Sequence, residues 1–403
     1  MDKSIIKLYN ICSRGVNFFG QLGLSNNYQS TQKFTEITSL QKCEAKSIHA
    51  SWTQSLCLLD DNRLLIWGWP LDVRSQMQVL WMLKDYTKLA KFIQRYSPFP
   101  WISLREGTDF PQEETEPPGH LRKVSIGGAF VVACDTEGRA YAWGDNHRGQ
   151  CGSGDSRYRL EPNLVHSLLD ELIVDVKAGY QHSLFLGSDG SVHGCGRCTH
   201  YAYSSPPISN ISSHGFSTAT IKVPVDGVTK IAGGNNFSVF LREDGNVFAV
   251  GKNEYGQCGQ VSTTEVVEFP EMIYFPEKVV DVVSGTKHTL ALGQSGQLYG
   301  FGYRMHGQID GYRGGIYQEQ CSPTPINIPS QHKVKKVFAG FDRSAVILEN
   351  GEVWVWGGDD FRYLDGEYYE KMTLINNDLP NPLDQVEEVA LGFMHTLVMT
   401  SCS

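Results

Sequence analysis

Long apolar runs and basic clusters are missing from this chain of 403 residues. No apolar stretch approaches the roughly 18 residues that a membrane-spanning helix needs. The first residues, MDKSIIKLYNICSRG, contain no apolar segment followed by a small-residue cleavage site, so no secretory signal is expected. The formal net charge of −9 leaves no obvious basic face for a phosphate backbone, and we expect no nucleic-acid partner.

Enzymatic signatures and a disulfide pattern are also missing. The Gly-rich loops lack the lysine and the following helix of a phosphate-binding loop, and no Ser-His-Asp order or distinctive carboxylate pair occurs. We therefore expect no enzyme and no cofactor. The ten cysteines show no pairing rhythm, which suits a reducing compartment. We predict an intracellular protein, with the cytoplasm favoured and the nucleus and mitochondrion left open.

Glycine is abundant, at 41 residues, and a repeated pattern accounts for it. A half-repeat of the form Gly-x-x-His-Ser/Thr-x-x-Leu, preceded by spaced apolar residues, recurs seven times at intervals of about 52 residues. The clearest copies are 176–186, 282–292 and 389–399, and degenerate copies begin at Ile48, Ser125, Ile231 and Val337. An Asp-Gly, Glu-Gly or Asn-Gly turn, a further strand (247–251 in one unit) and a Gly-rich loop follow. We therefore predict four short strands and no helix in each unit.

Both ends of the chain lie partway through a repeat. Residues 8–23 match a third strand with its Gly-rich loop, and residues 386–400 match a first half-repeat. We expect the two ends to complete one shared blade, which removes two open sheet edges. The predicted fold class is all-β, a seven-bladed β-propeller closed by the N- and C-terminal strands, as a single domain over residues 1–403.

One interval, residues 69–119, interrupts the repeat. Apolar residues at helical spacing predict an amphipathic helix over 71–96, which SPFPW at 97–101 ends. Residues 107–120 are acidic and Pro-rich, and we expect a mobile loop there. The predicted helix either packs against its own blade or binds a partner. Its candidate partner contacts are Leu80, Trp81, Tyr86 and Phe92.

The motifs resemble those of the propeller family named for the regulator of chromosome condensation. The carriers of this resemblance are the half-repeat at 179–186, the turn and Trp-Gly strand at 135–146, and the Gly-Gln-x-Gly loop at 256–259. It covers nearly the whole chain outside the insert. The resemblance implies a seven-bladed propeller with one of two roles, nucleotide exchange on a small GTPase such as Ran, or non-catalytic scaffolding. For exchange factors of the Ran type, the resemblance implies an acidic face and a β-wedge inserted in one blade loop. This chain does not evidently carry these features.

The turns between the first two strands of each unit are expected to ring one mouth of a central channel. This ring is rich in aromatic residues and has one acid. Its candidate partner-binding residues are Trp52, Phe130, Tyr180, Phe341, Asp342 and Phe393. Such a ring suits a protein or peptide anchor, and ordinary packing at the channel mouth is the alternative.

Histidine and cysteine raise two further questions. The repeat histidines His182, His288 and His395 are interpreted as structural, bonding backbone within their own blades. His193, Cys195, Cys198 and His200 form the single metal-like pattern, a weak zinc candidate, because alternate residues of a strand face opposite sides.

Two function hypotheses follow. The leading one is a non-catalytic protein-binding propeller that serves as a subunit of a larger assembly. The alternative is a guanine-nucleotide exchange factor for a Ran- or Rab-like small GTPase. Under both hypotheses the partners are other proteins.

Overall fold

Seven antiparallel four-stranded sheets contain the named strands of the computed structural model. The residues it describes are 7–16, 21–24, 30–68, 113–115, 120–203, 215–260, 265–311, 319–358, 369–393 and 395–401. Each sheet is one blade, and its innermost strand lines a central channel. The predicted seven-bladed propeller is confirmed.

The strands of each blade are named here from the channel outwards. The inner strands are β3 (Ala45–Ala50), β7 (Leu121–Ile126), β11 (Ile173–Ala178), β15 (Val228–Gly233), β19 (Val279–Ser284), β23 (Val334–Gly340) and β27 (Gln385–Leu391). The second strands are β4 (Gln54–Leu59), β8 (Phe130–Asp135), β12 (His182–Gly187), β16 (Phe237–Arg242), β20 (His288–Gly293), β24 (Arg343–Leu348) and β28 (His395–Ser401). The third strands are β5 (Leu64–Gly68), β9 (Ala140–Gly144), β13 (Val192–Arg197), β17 (Val247–Lys252), β21 (Leu298–Tyr303), β25 (Val353–Gly357) and β1 (Tyr9–Val16). The outer strands are β6 (Glu113–Thr115), β10 (Arg159–Leu164), β14 (Phe216–Lys222), β18 (Val266–Ile273), β22 (Glu319–Ile326), β26 (Tyr369–Leu374) and β2 (Ser30–Glu36).

Blades 1 to 6 begin at β3, β7, β11, β15, β19 and β23, and blade 7 joins the two ends of the chain. Its strand order is β2-β1-β28-β27, with Tyr9 opposite Ser401 and Gly15 opposite His395. Tyr9 also exchanges backbone hydrogen bonds with Cys43, at 2.8 and 2.9 Å, just before blade 1 begins. The predicted shared blade is confirmed.

The core lies between neighbouring blades. All six residues of β12 and of β20 are buried, because both faces of a second strand pack against another sheet. One apolar cluster joins Val132 and Cys134 of blade 2 to Ile173 and Phe185 of blade 3. Buried cysteines such as Cys134 pack as small apolar side chains, and burial raises the pKa of that thiol to about 12.

The predicted helix 71–96 lies outside the described residues. The prediction of a loop over 107–120 is wrong in part, because Glu113–Thr115 form the outer strand of blade 1. Ile66 of β5 lies opposite Glu113 of β6, so the two ends of the interruption are adjacent in the sheet. An acidic segment forms this strand because the backbone of β5 supplies a pairing edge whatever the side chains are.

One face of the propeller, here called the turn face, carries two kinds of segment that differ between blades. The turns from inner to second strands lie there, and so do the ends of the third strands. Arg197 N–H bonds to Gln181 C=O at 2.8 Å, and Tyr303 N–H bonds to Lys287 C=O at 2.8 Å. The interruption after β5 therefore starts from the same face as the channel-mouth turns.

Candidate functional site: the turn face

Backbone hydrogen bonds join neighbouring turns around the channel mouth. Tyr180 N–H bonds to Gly234 C=O at 3.1 Å, and Thr286 N–H bonds to Phe341 C=O at 2.8 Å. Phe393 N–H bonds to Ser51 C=O at 3.1 Å, across the junction between blades 7 and 1. The side chains of the turns are thus carried on a backbone ring with fixed spacing.

The assignment of Phe130 to the channel mouth is wrong. Phe130 starts β8 and is 1% exposed. Its ring lies over Gly127, where a Cβ would stand 2.3 Å from Cε1, just as the His182 ring lies over Gly179. The turn residues of this blade are instead Gly128 and Ala129. The doubled glycine in SIGGAF shifted the alignment of this degenerate copy by one residue.

Three of the predicted rim aromatics form a cluster over one side of the mouth. The rings of Trp52 and Phe393 stack, with centroids 4.4 Å apart. Phe341 packs edge-on to Phe393 at 5.6 Å and lies 6.4 Å from Trp52. Trp52 and Phe393 are only 5% and 8% exposed, whereas Phe341 is half-buried. Packing accounts for most of the surface of the first two rings, and Phe341 retains surface for a partner.

A second cluster lies on the turn face across blades 4 and 5. The Lys287 ammonium lies 4.9 Å from the ring centroid of Tyr255 and 5.1 Å from that of Tyr303. The two tyrosine rings meet edge-to-face at 4.7 Å. All three side chains are half-buried. This cation between two aromatic rings combines charge and apolar surface in one rigid patch.

Asp342 connects this patch to blade 6. Its Oδ2 lies 3.2 Å from His306 Nδ1, and the His306 ring packs edge-on to Tyr303 at 5.3 Å. The hydrogen bond from His306 and the positive charges of His306 and Lys287 outweigh burial and lower the pKa of Asp342. Asp342 is therefore a carboxylate held within a network that spans three blades.

Tyr180 stands beside a second cation on this face. Arg197 Nη1 donates to Gln181 Oε1 at 2.7 Å, next to Tyr180 in the turn. Burial raises the pKa of Tyr180 to about 12, and burial with the nearby Arg148 lowers the pKa of Arg197. Tyr180 therefore presents a neutral phenol beside a guanidinium.

The repeat histidines are structural, but their bonds cross between blades. His182 Nε2 lies 3.0 Å from Ser238 Oγ of the next blade, and Ser238 Oγ donates in turn to Ala202 C=O of blade 3. Since the serine proton goes to the carbonyl, His182 carries its own proton on Nε2. The same arrangement joins His288 to Ser344 at 3.0 Å. The prediction of bonds within one blade is wrong, because the alignment of repeats does not show which blade a side chain reaches.

The third repeat histidine makes the same kind of bond. His395 lies 2.8 Å from Ser55, across the junction between blades 7 and 1. Burial lowers the pKa of His182 and His288 to about 4 and that of His395 to about 3. All three imidazoles are neutral structural groups near pH 7.

The metal-like residues do not come together. Cys195 packs in the cluster between blades 2 and 3, with Sγ 3.4 Å from Gln150 C=O, whereas Cys198 packs between blades 3 and 4. His193 Nε2 lies 3.7 Å from Glu171, and His200 lies 3.1 Å from Thr199. Among the described residues no three His, Cys, Asp or Glu side chains form a metal-binding group. The zinc hypothesis is wrong because Cys195 and Cys198 are buried on opposite sides of blade 3.

The Tyr255–Lys287–Tyr303 cluster was not predicted from the sequence, and the predicted contacts of the insert lie outside the described residues. Tyr255 stands in the Gly-rich loop NEYGQ, whereas Tyr303 ends β21 just before the next such loop, and their convergence on Lys287 depends on the angle between two blades. A tyrosine at or just beyond the end of two successive third strands was the available signal. Leu80, Trp81, Tyr86 and Phe92 lie outside the described residues and remain predicted contacts.

Comparison with known proteins places the repeat in a family. The model of the regulator of chromosome condensation (RCC1) repeat matches residues 137–186 and 244–292. A second model of this repeat matches residues 121–150, 173–200, 228–257 and 334–362.

Curated relatives share between a quarter and three tenths of their residues with this chain. The mouse RCC1-like G exchanging factor-like protein is 28% identical over 306 residues, which are 72% of this chain and 63% of the relative. The Arabidopsis thaliana ultraviolet-B receptor UVR8 is 25% identical over 246 residues, 59% of this chain and 53% of the receptor. Human protein RCC2 is 27% identical over 259 residues, 57% of this chain and 48% of RCC2. The match therefore spans about half to just under two thirds of each relative.

Solved structures share the fold. Human WBSCR16 superposes with a TM-score of 0.69 at 20% identity, covering 97% of this chain and 98% of that one. Prp20p of Saccharomyces cerevisiae superposes with a TM-score of 0.72 at 19% identity, covering 99% and 93%. In the described part of our chain the helices are short 3-10 segments, and none is long and apolar enough to cross a membrane. Repeat motifs, a seven-bladed ring closed by its two ends, and these matches agree: the chain belongs to the regulator of chromosome condensation (RCC1) repeat family.

Proposed function

We propose that this protein is a non-catalytic propeller that binds other proteins through its turn face, as a subunit of a larger assembly. The carrying observation is the half-buried Tyr255–Lys287–Tyr303 cluster with its extension through His306 to Asp342. Tyrosine is among the residue types on which protein interfaces most depend, and the lysine held between the two rings adds a positive charge to their apolar surface.

The arrangement of this face supports binding without large rearrangement. Neighbouring turns are joined by backbone hydrogen bonds, so a partner meets side chains whose spacing is already set. Phe341 and Tyr180 add half-buried aromatic surface around the mouth. The predicted contacts Leu80, Trp81, Tyr86 and Phe92 belong to an interruption that leaves from the same face, and we propose that they extend it. An intracellular, cytoplasmic location remains part of this proposal.

Related propellers bind proteins. Prp20p was described with its binding to Gsp1p and histones, and a second crystal structure shows it bound to Kap60. These partners belong to Prp20p, whose 19% identity to our chain carries the fold alone. They support protein binding as a use of this architecture.

An affinity comparison between matched variants tests the proposal. Proteins captured from a cell extract on the immobilised full chain are quantified against those captured on Tyr255→Ala/Lys287→Ala. We expect specific partners to be lost from the double variant and kept by Tyr274→Ala, which removes an exposed tyrosine away from the cluster. A partner set that is identical for all three chains, each confirmed folded by circular dichroism, contradicts the use of this face.

Nucleotide exchange on a small GTPase is the second candidate function. Mouse and human relatives named RCC1-like G exchanging factor-like protein, at 28% and 26% identity over 72% of this chain, favour it. In an exchange factor, binding to one face would displace the nucleotide-binding elements of the GTPase without covalent chemistry. Release of a fluorescent GDP analogue from Ran- and Rab-like GTPases separates the two functions. Accelerated release that Asp342→Asn abolishes would support exchange, and unchanged release alongside retained partner capture would leave the scaffold function.

A further inference from the structure

The charge balance of the central channel is opposite to that of the whole chain. The whole sequence has 44 acidic against 35 basic residues. The channel, with a volume of about 720 Å³, is lined by more cations than acids. The cations are Lys46, Arg122, Lys123, Lys177, Lys230 and Lys336, and the acids are Asp175, Asp281, Glu387 and Glu388.

The register of the inner strands arranges these groups in layers. In six inner strands the fourth residue is buried in its blade, so the third and fifth residues face the channel. In β27 the buried residue is Val389, and Glu388 and Ala390 take the two channel-facing places. The third position carries a ring of mostly charged side chains: Ser47, Lys123, Asp175, Lys230, Asp281, Lys336 and Glu388. The fifth position is mostly small or apolar, and Lys177 adds one further cation to it.

Most of the charged groups in this ring are partnered. Lys230 forms an ion pair with Asp281 on the next blade. Lys336 donates to Glu387 C=O at 2.9 Å, and Glu388 Oε2 accepts from Ile48 N–H at 3.1 Å. These contacts run around blades 4 to 7 and into blade 1.

Lys123 and Lys177 differ from the other channel lysines. Within the described residues the ammonium group of neither lysine makes a hydrogen bond or an ion pair, although the two stand on neighbouring inner strands. Burial first, and then the charges of Lys230 and Lys123, lower the pKa of Lys177, while Asp175 and Asp281 only partly compensate. Two ammonium groups that share a confined space repel one another, and an anion between them would remove that cost.

From this geometry we infer that the channel wall formed by blades 1 to 3 binds a compact small-molecule phosphate compound, with Lys123 and Lys177 as its principal contacts. Ser47 and His49, whose side chains are 3.0 Å apart, and Ser125 line the same wall and supply hydrogen-bonding groups. The volume lies within the several hundred Å³ that small-molecule sites occupy. Lysine ammonium groups bind phosphate as point charges, so the site has no need of a Gly-rich loop.

We expect an anion to enter the channel from the end opposite the turn face. The joined turns ring the mouth of the channel at the turn face. At the other end, where the inner strands begin, Lys46 and Arg122 are exposed beside Lys123. Cations at an entrance attract anions and raise their local concentration.

Isothermal titration of the full chain with sodium tripolyphosphate tests this inference. We expect saturable binding that weakens as sodium chloride is raised, and at least tenfold weaker binding to Lys123→Met/Lys177→Met. The matched control is Lys222→Met, which removes an exposed lysine from the outer strand β14. Citrate, a multivalent carboxylate anion without phosphate, should bind at least tenfold more weakly than tripolyphosphate.

Three results would overturn the inference: no heat at millimolar tripolyphosphate, equal affinity of the double variant and wild type, or equal weakening by Lys222→Met. Circular dichroism confirms that the variants fold. If the double variant does not fold, the exposed Lys123→Gln alone serves, with a threefold or larger loss of affinity expected and an unchanged affinity counting against the site. The partner-capture experiment is independent of this one, so either proposal can fail alone.

Discussion

At the scale of single residues, the Gly-x-x-His motif is explained by space. The ring of the fourth residue folds back over the glycine, where a Cβ would stand 2.2 Å from Cε1 of His182 or His288. Gly179 and Gly285 are therefore needed for the room they leave. Phe237 over Gly234 uses the same room without the hydrogen bond, which shows why histidine and phenylalanine alternate at this position.

We predict that stability depends more on the serine that accepts the hydrogen bond of each repeat histidine than on the histidine itself. Ser238→Ala leaves His182 Nε2–H and Ala202 C=O without their buried partner, so we expect a loss of about 1–3 kcal/mol in the free energy of unfolding. Urea denaturation measures it. Ser188→Ala, at an exposed serine, should change stability by less than about 0.5 kcal/mol. Equal effects of the two substitutions would refute the role of the inter-blade bond.

The buried histidines also predict a loss of stability in acid. Their folded pKa values, about 4 for His182 and His288 and about 3 for His395, lie below the unfolded value near 6.5. On acidification the unfolded chain binds protons first, so stability falls between pH 6.5 and about 4, by about 2 kcal/mol per histidine at pH 5. Glu388 acts oppositely, since burial raises its pKa to about 7 and stability from this group is lost as pH rises through that value.

A differential measurement isolates one histidine from these opposing effects. His182→Phe, a residue that blade 4 already uses at this position, should lose about 2 kcal/mol less than wild type between pH 7 and pH 5. Unfolding free energies at the two pH values give the difference. Leu383→Ala, at an 88% exposed side chain, is the control and should match wild type. An acid sensitivity that His182→Phe leaves unchanged would count against the assignment.

At the scale of strands and hairpins, most of the fold was predictable from the sequence. Turn signals and apolar spacing predict a third strand at 247–251, and β17 spans Val247–Lys252. The errors concern relations between elements. The short strand Glu113–Thr115 carries acidic residues with no strand pattern, and its pairing is set by the edge of β5. Local sequence specifies a strand when its side chains are buried, and it says little about an outer strand whose pairing is set by its neighbour.

Blade 7 supplies the test at this scale. Ile11 of β1 is fully buried and lies opposite Met399 of β28. We expect Ile11→Ala to cost about 2–5 kcal/mol, as much as a core truncation within a continuous blade such as Leu184→Ala. Thermal and urea unfolding of both variants give the comparison. A cost below about 1 kcal/mol for Ile11→Ala alone would show that the joined blade unfolds separately from the ring.

At the scale of the whole molecule, repeated residues build the ring and the irregular residues distinguish its surfaces. Sequence reasoning identified Trp52, Phe341, Asp342 and Phe393 on the turn face but not the Tyr255–Lys287–Tyr303 cluster. That cluster depends on distances between blades, which a repeat alignment does not contain. The prediction for Phe130 was wrong for a different reason, because one extra glycine shifted the alignment of its degenerate repeat by one residue.

The interruption of blade 1 is predicted to be dispensable for folding. Ile66 and Glu113 lie opposite one another, so a short Asn-Gly hairpin can replace residues 69–110 and still join β5 to β6 in register. We expect the shortened chain to unfold cooperatively, within a few degrees of the wild-type midpoint. Its partner capture then tests Leu80, Trp81, Tyr86 and Phe92 separately from the turn-face cluster. A shortened chain that fails to fold would show that the interruption completes the core.

The pairing of Tyr9 with Ser401 makes the present ends of the chain one of several equivalent openings in the ring. A peptide linker can connect them, and new ends can be placed in an exposed connection such as the one between β22 and β23. Such a circular permutant should keep all seven blades, because each strand pairs with the same neighbours wherever the chain begins and ends. The family's architecture thus separates chain connectivity from shape, and the surfaces of this protein can be rearranged in sequence while they stay fixed in space.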